Sequence, residues 1–223
     1  MYVPDIFALD DPQRIAEVIA RFNFALLVTA LPGQASGQAS GRAPTATHLP
    51  FLYDAERGPH GTLIAHMAKA NPHWRDFAGL AEAGGEALVV FWGPHAYVSP
   101  SWYGPGDAVP TWNYIAVHAY GTPRPIVDAA EVRAMLERLV ATHEAGAAAP
   151  WSMASNDETY TARMQRGIAA FEIPIARIEA KAKLSQNKTP EVRGRVVTAL
   201  RAAGDAEAAV LADWMDLPVT KED

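Results

Sequence analysis

The 223-residue chain contains no cysteine. That removes disulfides, thiol catalysis, iron–sulfur clusters and Cys-type zinc sites. It has no excess of positive charge. Nineteen Lys and Arg stand against 25 Asp and Glu, a net charge of -6, so a global nucleic-acid footprint is absent, although a local patch stays open. Long hydrophobic runs are missing too. The most apolar stretch near the start, residues 22–31, is interrupted by Asn23 and stops at Pro32-Gly33, far short of the ~20 residues of a membrane-spanning helix. The opening Met1-Tyr2-Val3-Pro4-Asp5 has no basic n-region, so the expectation is a cytoplasmic protein with no membrane partner.

Several chemical signatures are also absent. No G-x-G-x-x-G follows a strand and no G-x-x-x-x-G-K-[ST] occurs. Gly33, Gly37 and Gly41 lie in a Ser/Gln-rich stretch, residues 32–44, that reads as a flexible connector. The seven histidines form no H-x-x-x-H or H-E-x-x-H pair, so no metal is expected. No G-x-S-x-G marks a nucleophile; Ser99 and Ser101 are explained by turn formation.

What is present is a chain with 49% hydrophobic residues, enough for one sizeable core. Asp11-Pro12 opens a helix over 11–22 with Ile15, Val18, Ile19 and Phe22 on one face. Strands are predicted over 24–29, 45–53, 62–67 and 87–92, a short one at 96–98 inside an ordered loop, then 114–120 and 168–178. Pro174 predicts an edge or a bulge for the last of these. Asn71-Pro72 starts a helix reaching Gly84-Gly85, Asp128 with Glu131 starts another, and a short one falls near 156–165. Two more occupy 190–203 and 205–215. Strands that follow one another without intervening helices favour an antiparallel sheet. The predicted class is α+β, a β-barrel with helical decoration. It forms a single domain over 1–223, with the helical pair of 188–216 packed on it.

Four segments carry possible chemistry. Ala46-Thr47-His48-Leu49-Pro50-Phe51 is unusual for a central strand and equally compatible with an ordinary edge strand. In His66-Met67-Ala68-Lys69-Ala70-Asn71-Pro72, Lys69 precedes a helix start, where an anion is favoured, or it is a solvated lysine beside a plain cap. Lys183-Leu184-Ser185-Gln186-Asn187-Lys188 either hydrogen-bonds a flat heteroaromatic ring or forms a solvated helix entry. Trp92, His95, Tyr97, Trp102, Tyr103, Trp112 and Tyr114 crowd one stretch, as core or interface packing or as a stacking wall.

Together with Phe91 to Tyr103, Val109-Pro110-Thr111-Trp112-Asn113-Tyr114 and Val117 to Gly121, these segments resemble the PaiB-like FMN-binding negative transcriptional regulators. The resemblance runs to about residue 203 and its motifs are specific. It implies an antiparallel split β-barrel like that of pyridoxamine phosphate oxidases, and a homodimer holding FMN at the subunit interface. It places Thr47, His48, Leu49 and Pro50 beside the isoalloxazine and His66, Met67, Lys69 and Asn71 around the phosphate. It adds Trp112, Asn113, Lys183, Ser185 and Gln186 as further cofactor contacts. The family often has Arg where this chain has Lys69, which keeps the charge and loses the bidentate fork. The function implied is an FMN-binding regulator. The alternative is an FMN-dependent oxidoreductase acting on a small molecule, and haem binding is a weaker third. Arg193, Arg195 and Arg201 permit a helix–turn–helix reading of 190–216. Glu191, Asp205, Glu207, Asp213 and Asp216 oppose it, so direct DNA binding is not expected.

Overall fold

Asp11 starts the first helix by accepting from the backbone N–H groups of Gln13 and Arg14, with Pro12 at the first helical position. In this computed structural model, which describes residues 1–31 and 43–217, α1 is Pro12–Arg21 and buries Val18 and Ile19. The expected connector and its three glycines lie largely outside the described residues.

Among the described residues nine strands follow: β1 Phe24–Thr29, β2 Thr45–Pro50, β3 Leu52–Asp54, β4 Thr62–Ala68, β5 Ala87–Val98, β6 Thr111–Gly121, β7 Arg124–Ile126, β8 Ile168–Pro174 and β9 Arg177–Lys183. The remaining helices are α2 Asp76–Glu82, α3 Ala129–Glu144, α4 Glu158–Gln165, α5 Pro190–Ala202 and α6 Ala206–Asp216. The strands form a five-stranded sheet in the order β2-β1-β5-β6-β9 and a four-stranded sheet in the order β3-β4-β8-β7. The registers of β1 with β2 and β5, β3 with β4, and β8 with β4 and β7 are all antiparallel. The class is α+β.

By its contacts the chain divides into two compact units. The first comprises residues 1–22, 91–118 and 179–223, the second 23–90 and 119–178. Within the second, Phe171 packs edge-on to Phe51 and at 4.9 Å from the Phe77 ring. On the other face of the four-stranded sheet, Val132 and Met135 of α3 pack with Leu52, Ile64 and Ala170. Burying side chains of this size contributes about 1.5–3 kcal/mol each. Within the first unit, α6 buries Leu211, Trp214 and Met215, and α5 buries Val196 and Leu200.

Four expectations need correction. Residues 87–98 form one strand, with no separate piece at 96–98, because Gly93 lets β5 run close to β6. A Cβ there would meet the Cβ and carbonyl oxygen of Ile115 at 3.0 Å. The strand carrying Pro174 is central, flanked by β4 and β7, and tolerates the proline because it is the last residue of the strand. The single strand expected over 168–178 is two, β8 ending at Pro174 and β9 beginning at Arg177. The helix expected from Asn71-Pro72 is a 3-10 turn over Pro72–Arg75 leading into the seven-residue α2.

Candidate functional site

The run Thr47-His48-Leu49-Pro50 forms most of β2, which lies at the edge of its sheet. The register sets Thr47 opposite Leu27 and Leu49 opposite Ala25, both of them buried, while His48 opposes Leu26 and Pro50 opposes Phe24. Alternation along a strand therefore puts Thr47 and Leu49 on the core face and His48 and Pro50 on the other. The exposed His48 ring stacks on Phe24, with centroids 6.1 Å apart. The four residues are adjacent in sequence and split between two faces.

Thr47 and Asn71 are brought together. The Asn71 amide donates to Thr47 Oγ1 at 3.2 Å, and its oxygen accepts the backbone N–H of His73 at 3.0 Å. His73 Nδ1 lies 2.8 Å from Thr47 Oγ1, and Nε2 lies 2.8 Å from Thr29 Oγ1. Thr29 in turn donates to Asp76 Oδ2 at 3.2 Å. Thr29, His73 and Asp76 are all buried, as polar groups are when they are fully bonded. Sequence reasoning missed these three. Their signal was a threonine closing an apolar strand and an aspartate on the buried face shared by Phe77 and Leu80. Asn71 occupies the first free N–H, and neither the 3-10 turn nor α2 is long enough to build a useful dipole.

His66 and Met67 occupy opposite faces of β4. Met67 is buried in the core, whereas His66 pairs with Ala170 and faces the α3 side. His66 Nδ1 is sealed from solvent and has no hydrogen-bond partner. Burial pushes its pKa below the ordinary histidine value. Ala170 also lines a groove of about 510 Å³ together with Ile126, Val132, Trp74, Lys69 and Arg166. Lys69 is exposed at the rim. Its amino group donates to the Arg166 carbonyl at 2.8 Å, and its own carbonyl accepts from the Trp74 indole at 3.1 Å. An ammonium has three donors, so Lys69 retains capacity for an anion.

The other expected contacts belong to the first unit. Asn113 and Ser185 are buried and bonded to one another, the Asn113 amide donating to Ser185 Oγ at 2.9 Å. Ser185 holds a left-handed φ of 60°. Gln186 folds back on its own segment, accepting from Leu184 N and donating to the Ala182 carbonyl. The Lys183 ammonium donates to Thr111 Oγ1 and to the Trp112 carbonyl. Burial, and then the nearby Lys181 charge, lower its pKa. These side chains are spent largely on one another. Trp112 differs: it is exposed, 6.0 Å from the Tyr97 ring and 6.1 Å from His95, which in turn lies 5.8 Å from Trp92.

Among the described residues, no cluster of three or more His, Asp or Glu could hold a metal ion. No described helix is long and apolar enough to cross a membrane.

A family model described as "Putative FMN-binding domain" matches residues 1–177. Protease synthase and sporulation protein PAI 2 of Bacillus subtilis is 32% identical over 225 residues, covering 100% of both chains. Among solved structures, the FAD and haem binding protein from Mycobacterium smegmatis superposes with a TM-score of 0.54 at 18% identity, over 88% of this chain and 80% of that one. The flavocytochrome Anf3 from Azotobacter vinelandii gives 0.52 at 15%, over 84% and 75%. At such identities the structural likeness is one of fold, while the sequence match is one of family. The chain belongs to the FMN-binding domain family that includes the Bacillus PAI 2 protein, and FMN is its cofactor.

Proposed function

We propose that this protein is an FMN-binding regulator that works as a homodimer, with its two sheets arranged as a split barrel of the pyridoxamine phosphate oxidase kind. The cofactor is held by the second unit, through Thr47, Asn71, His66 and Lys69. The observation that carries the placement is the sealed, unpartnered His66 Nδ1 on the same sheet face as Ala170, which lines the groove that has Lys69 at its rim. A buried polar nitrogen without a partner costs about 1–3 kcal/mol, and a bound cofactor can return it. The residues suit FMN: an ammonium for the phosphate, the Trp74 ring and apolar floor for the flavin, and hydroxyl and amide groups for its polar edge. FMN supplies redox chemistry when bound, and these residues position it.

The homodimer reading rests on the exposed aromatic group of Trp92, Tyr97 and Trp112 in the first unit, a composition suited to an interface core. The regulatory reading rests on the full-length similarity to a protein named for protease synthesis and sporulation. A second reading, an FMN-dependent oxidoreductase, is favoured by His66 itself, since a neutral imidazole with an unused nitrogen is a competent base.

The test is titration of FMN into the protein, followed by flavin fluorescence. Lys69→Glu is expected to weaken binding about 10–100-fold, as for loss of a charge-assisted bond. Lys188→Glu, an exposed lysine over the Tyr103 ring, is expected to leave binding unchanged. Equal dissociation constants for the two folded variants overturn the placement. Rapid anaerobic bleaching of the bound flavin by NADH or NADPH, lost in His66→Gln, would favour the oxidoreductase.

A further inference from the structure

A second groove, of about 460 Å³, runs along α3 from Arg133 to Glu144 and shares no residue with the groove at Lys69. Its volume falls within the ~300–1,000 Å³ of small-molecule sites. Val140, Ala141, Pro150 and Met153 line it with apolar surface, together with the Trp151 indole, which is 43% exposed. Its charged residues are Arg133, Glu137 and Glu144. Arg133 is already occupied: it donates to Glu137 Oε1 at 2.9 Å and to both carboxylate oxygens of Glu158, at 2.6 and 2.8 Å. Among the described residues, Glu144 pairs with no cation. Its Oε2 accepts the backbone N–H of Trp151 at 2.9 Å, and its Oε1 keeps its lone pairs. The 16-residue α3 also ends at Glu144, where the aligned backbone dipoles favour a cation.

We propose that this groove binds a small organic ammonium, one protonated amine carried on an aromatic or alkyl body. The amine pairs with Glu144, and the body covers Val140, Met153 and the Trp151 ring. Trp151 contributes twice. Its ring face attracts a cation, and its backbone N–H ties the carboxylate to the segment that carries the ring. An anion is rejected, because the one cation of the lining is already held by two carboxylates. The two grooves therefore have opposite preferences. Lys69 stands at one and Glu144 at the other, so the phosphate of FMN and the ammonium do not compete. The ammonium site is independent of where FMN is placed, and so is its test.

The test uses FMN-loaded protein labelled with 15N at the indoles, and three probes of similar size: phenethylammonium, neutral phenethyl alcohol and anionic hydrocinnamate. The Trp151 signal is assigned by its loss in Trp151→Leu. Phenethylammonium is expected to move that signal with a dissociation constant of about 1 mM, the scale for so small a ligand. Phenethyl alcohol is expected to bind about 3–30-fold more weakly, the combined worth of an exposed ion pair and a cation–π contact. Hydrocinnamate is expected to leave the signal in place. Glu144→Gln keeps an acceptor for the Trp151 N–H and removes the charge, and it is expected to lose most of the preference for the ammonium over the alcohol. A Trp151 signal that no probe moves overturns the proposal. So does equal binding of ammonium and alcohol, or of ammonium and hydrocinnamate, since the groove is then merely apolar. A preference that is undiminished in Glu144→Gln overturns it as well.

Discussion

His66 couples stability to pH. Burial holds its pKa below the ordinary 6.5, so the folded state resists the proton that the unfolded chain accepts. The stability this confers is complete above about pH 6.5 and is lost as pH falls through the lowered value. His118 adds in the same direction, lowered first by burial and then by the chain-terminal ammonium, with Glu179 opposing. The urea midpoint of the FMN-free protein is expected to fall between about pH 7.5 and pH 5, and to fall less in His66→Gln. Other residues show how far the sequence could be read at this scale. The identities of Thr47, Asn71 and Lys69 stood out in the sequence, but their partners did not. The resemblance gave Asn113 and Ser185 as ligand contacts, and it could not show that the two are buried and bonded to each other. Lys181 defeats the rule that lysine points outward. It is buried, with its ammonium 5.4 Å from the Tyr2 ring, 6.0 Å from Phe7 and 5.3 Å from Tyr114, where cation–π attraction offsets desolvation.

Asp11 and Asp128 announced their helices as caps in the sequence, and Asp157, Thr189 and Asp205 likewise accept backbone N–H groups at helix starts. Asp205→Ala is expected to cost about 0.5–2 kcal/mol, seen as a lower urea midpoint with an unchanged m-value, because α6 buries Trp214 and Met215. Strands were less legible. Gly93-Pro94 looks like a turn but lies inside β5; pairing with β1 covers only Leu88 to Val90, so the missing N–H of Pro94 falls beyond it. In β9 the alternation of Glu179, Lys181 and Lys183 with small residues disguised a strand whose buried positions are Ala180, Lys181 and Ala182. The turn between β3 and β4 depends on Gly61. Its φ is +80°, and a Cβ there would meet the Tyr53 ring at 2.3 Å. Gly61→Ala is expected to destabilise by more than the ~1 kcal/mol of an ordinary glycine replacement, with the loss read by thermal unfolding.

For the whole molecule, the proposed dimer predicts a light-scattering mass of twice the 24.0 kDa chain, reduced to the chain mass by Trp112→Glu with Trp92→Glu. The C-terminal helices are poorly equipped to grip a nucleic acid. Arg193 donates to the carbonyls of Leu184 and Met215, Arg195 to those of Trp102 and Tyr103, and Arg201 pairs with Asp213 and Asp216. Binding to a random DNA duplex at about 0.15 M salt is expected to be undetectable by fluorescence anisotropy, since phosphate contacts dominate such affinity. The assembly of the first unit from residues 1–22, 91–118 and 179–223 has a consequence for synthesis. Residues 1–22 leave the ribosome long before α5 and α6 exist, and their bridge to β9 at Ala8 and Lys181 cannot form until Lys181 has emerged. At about 5–20 residues per second, the nascent chain passes roughly 10–40 seconds with α1 lacking the last segment of its unit. Folding of that unit therefore waits for the segment that begins at residue 179, and α1 is open during that interval to capture by a chaperone.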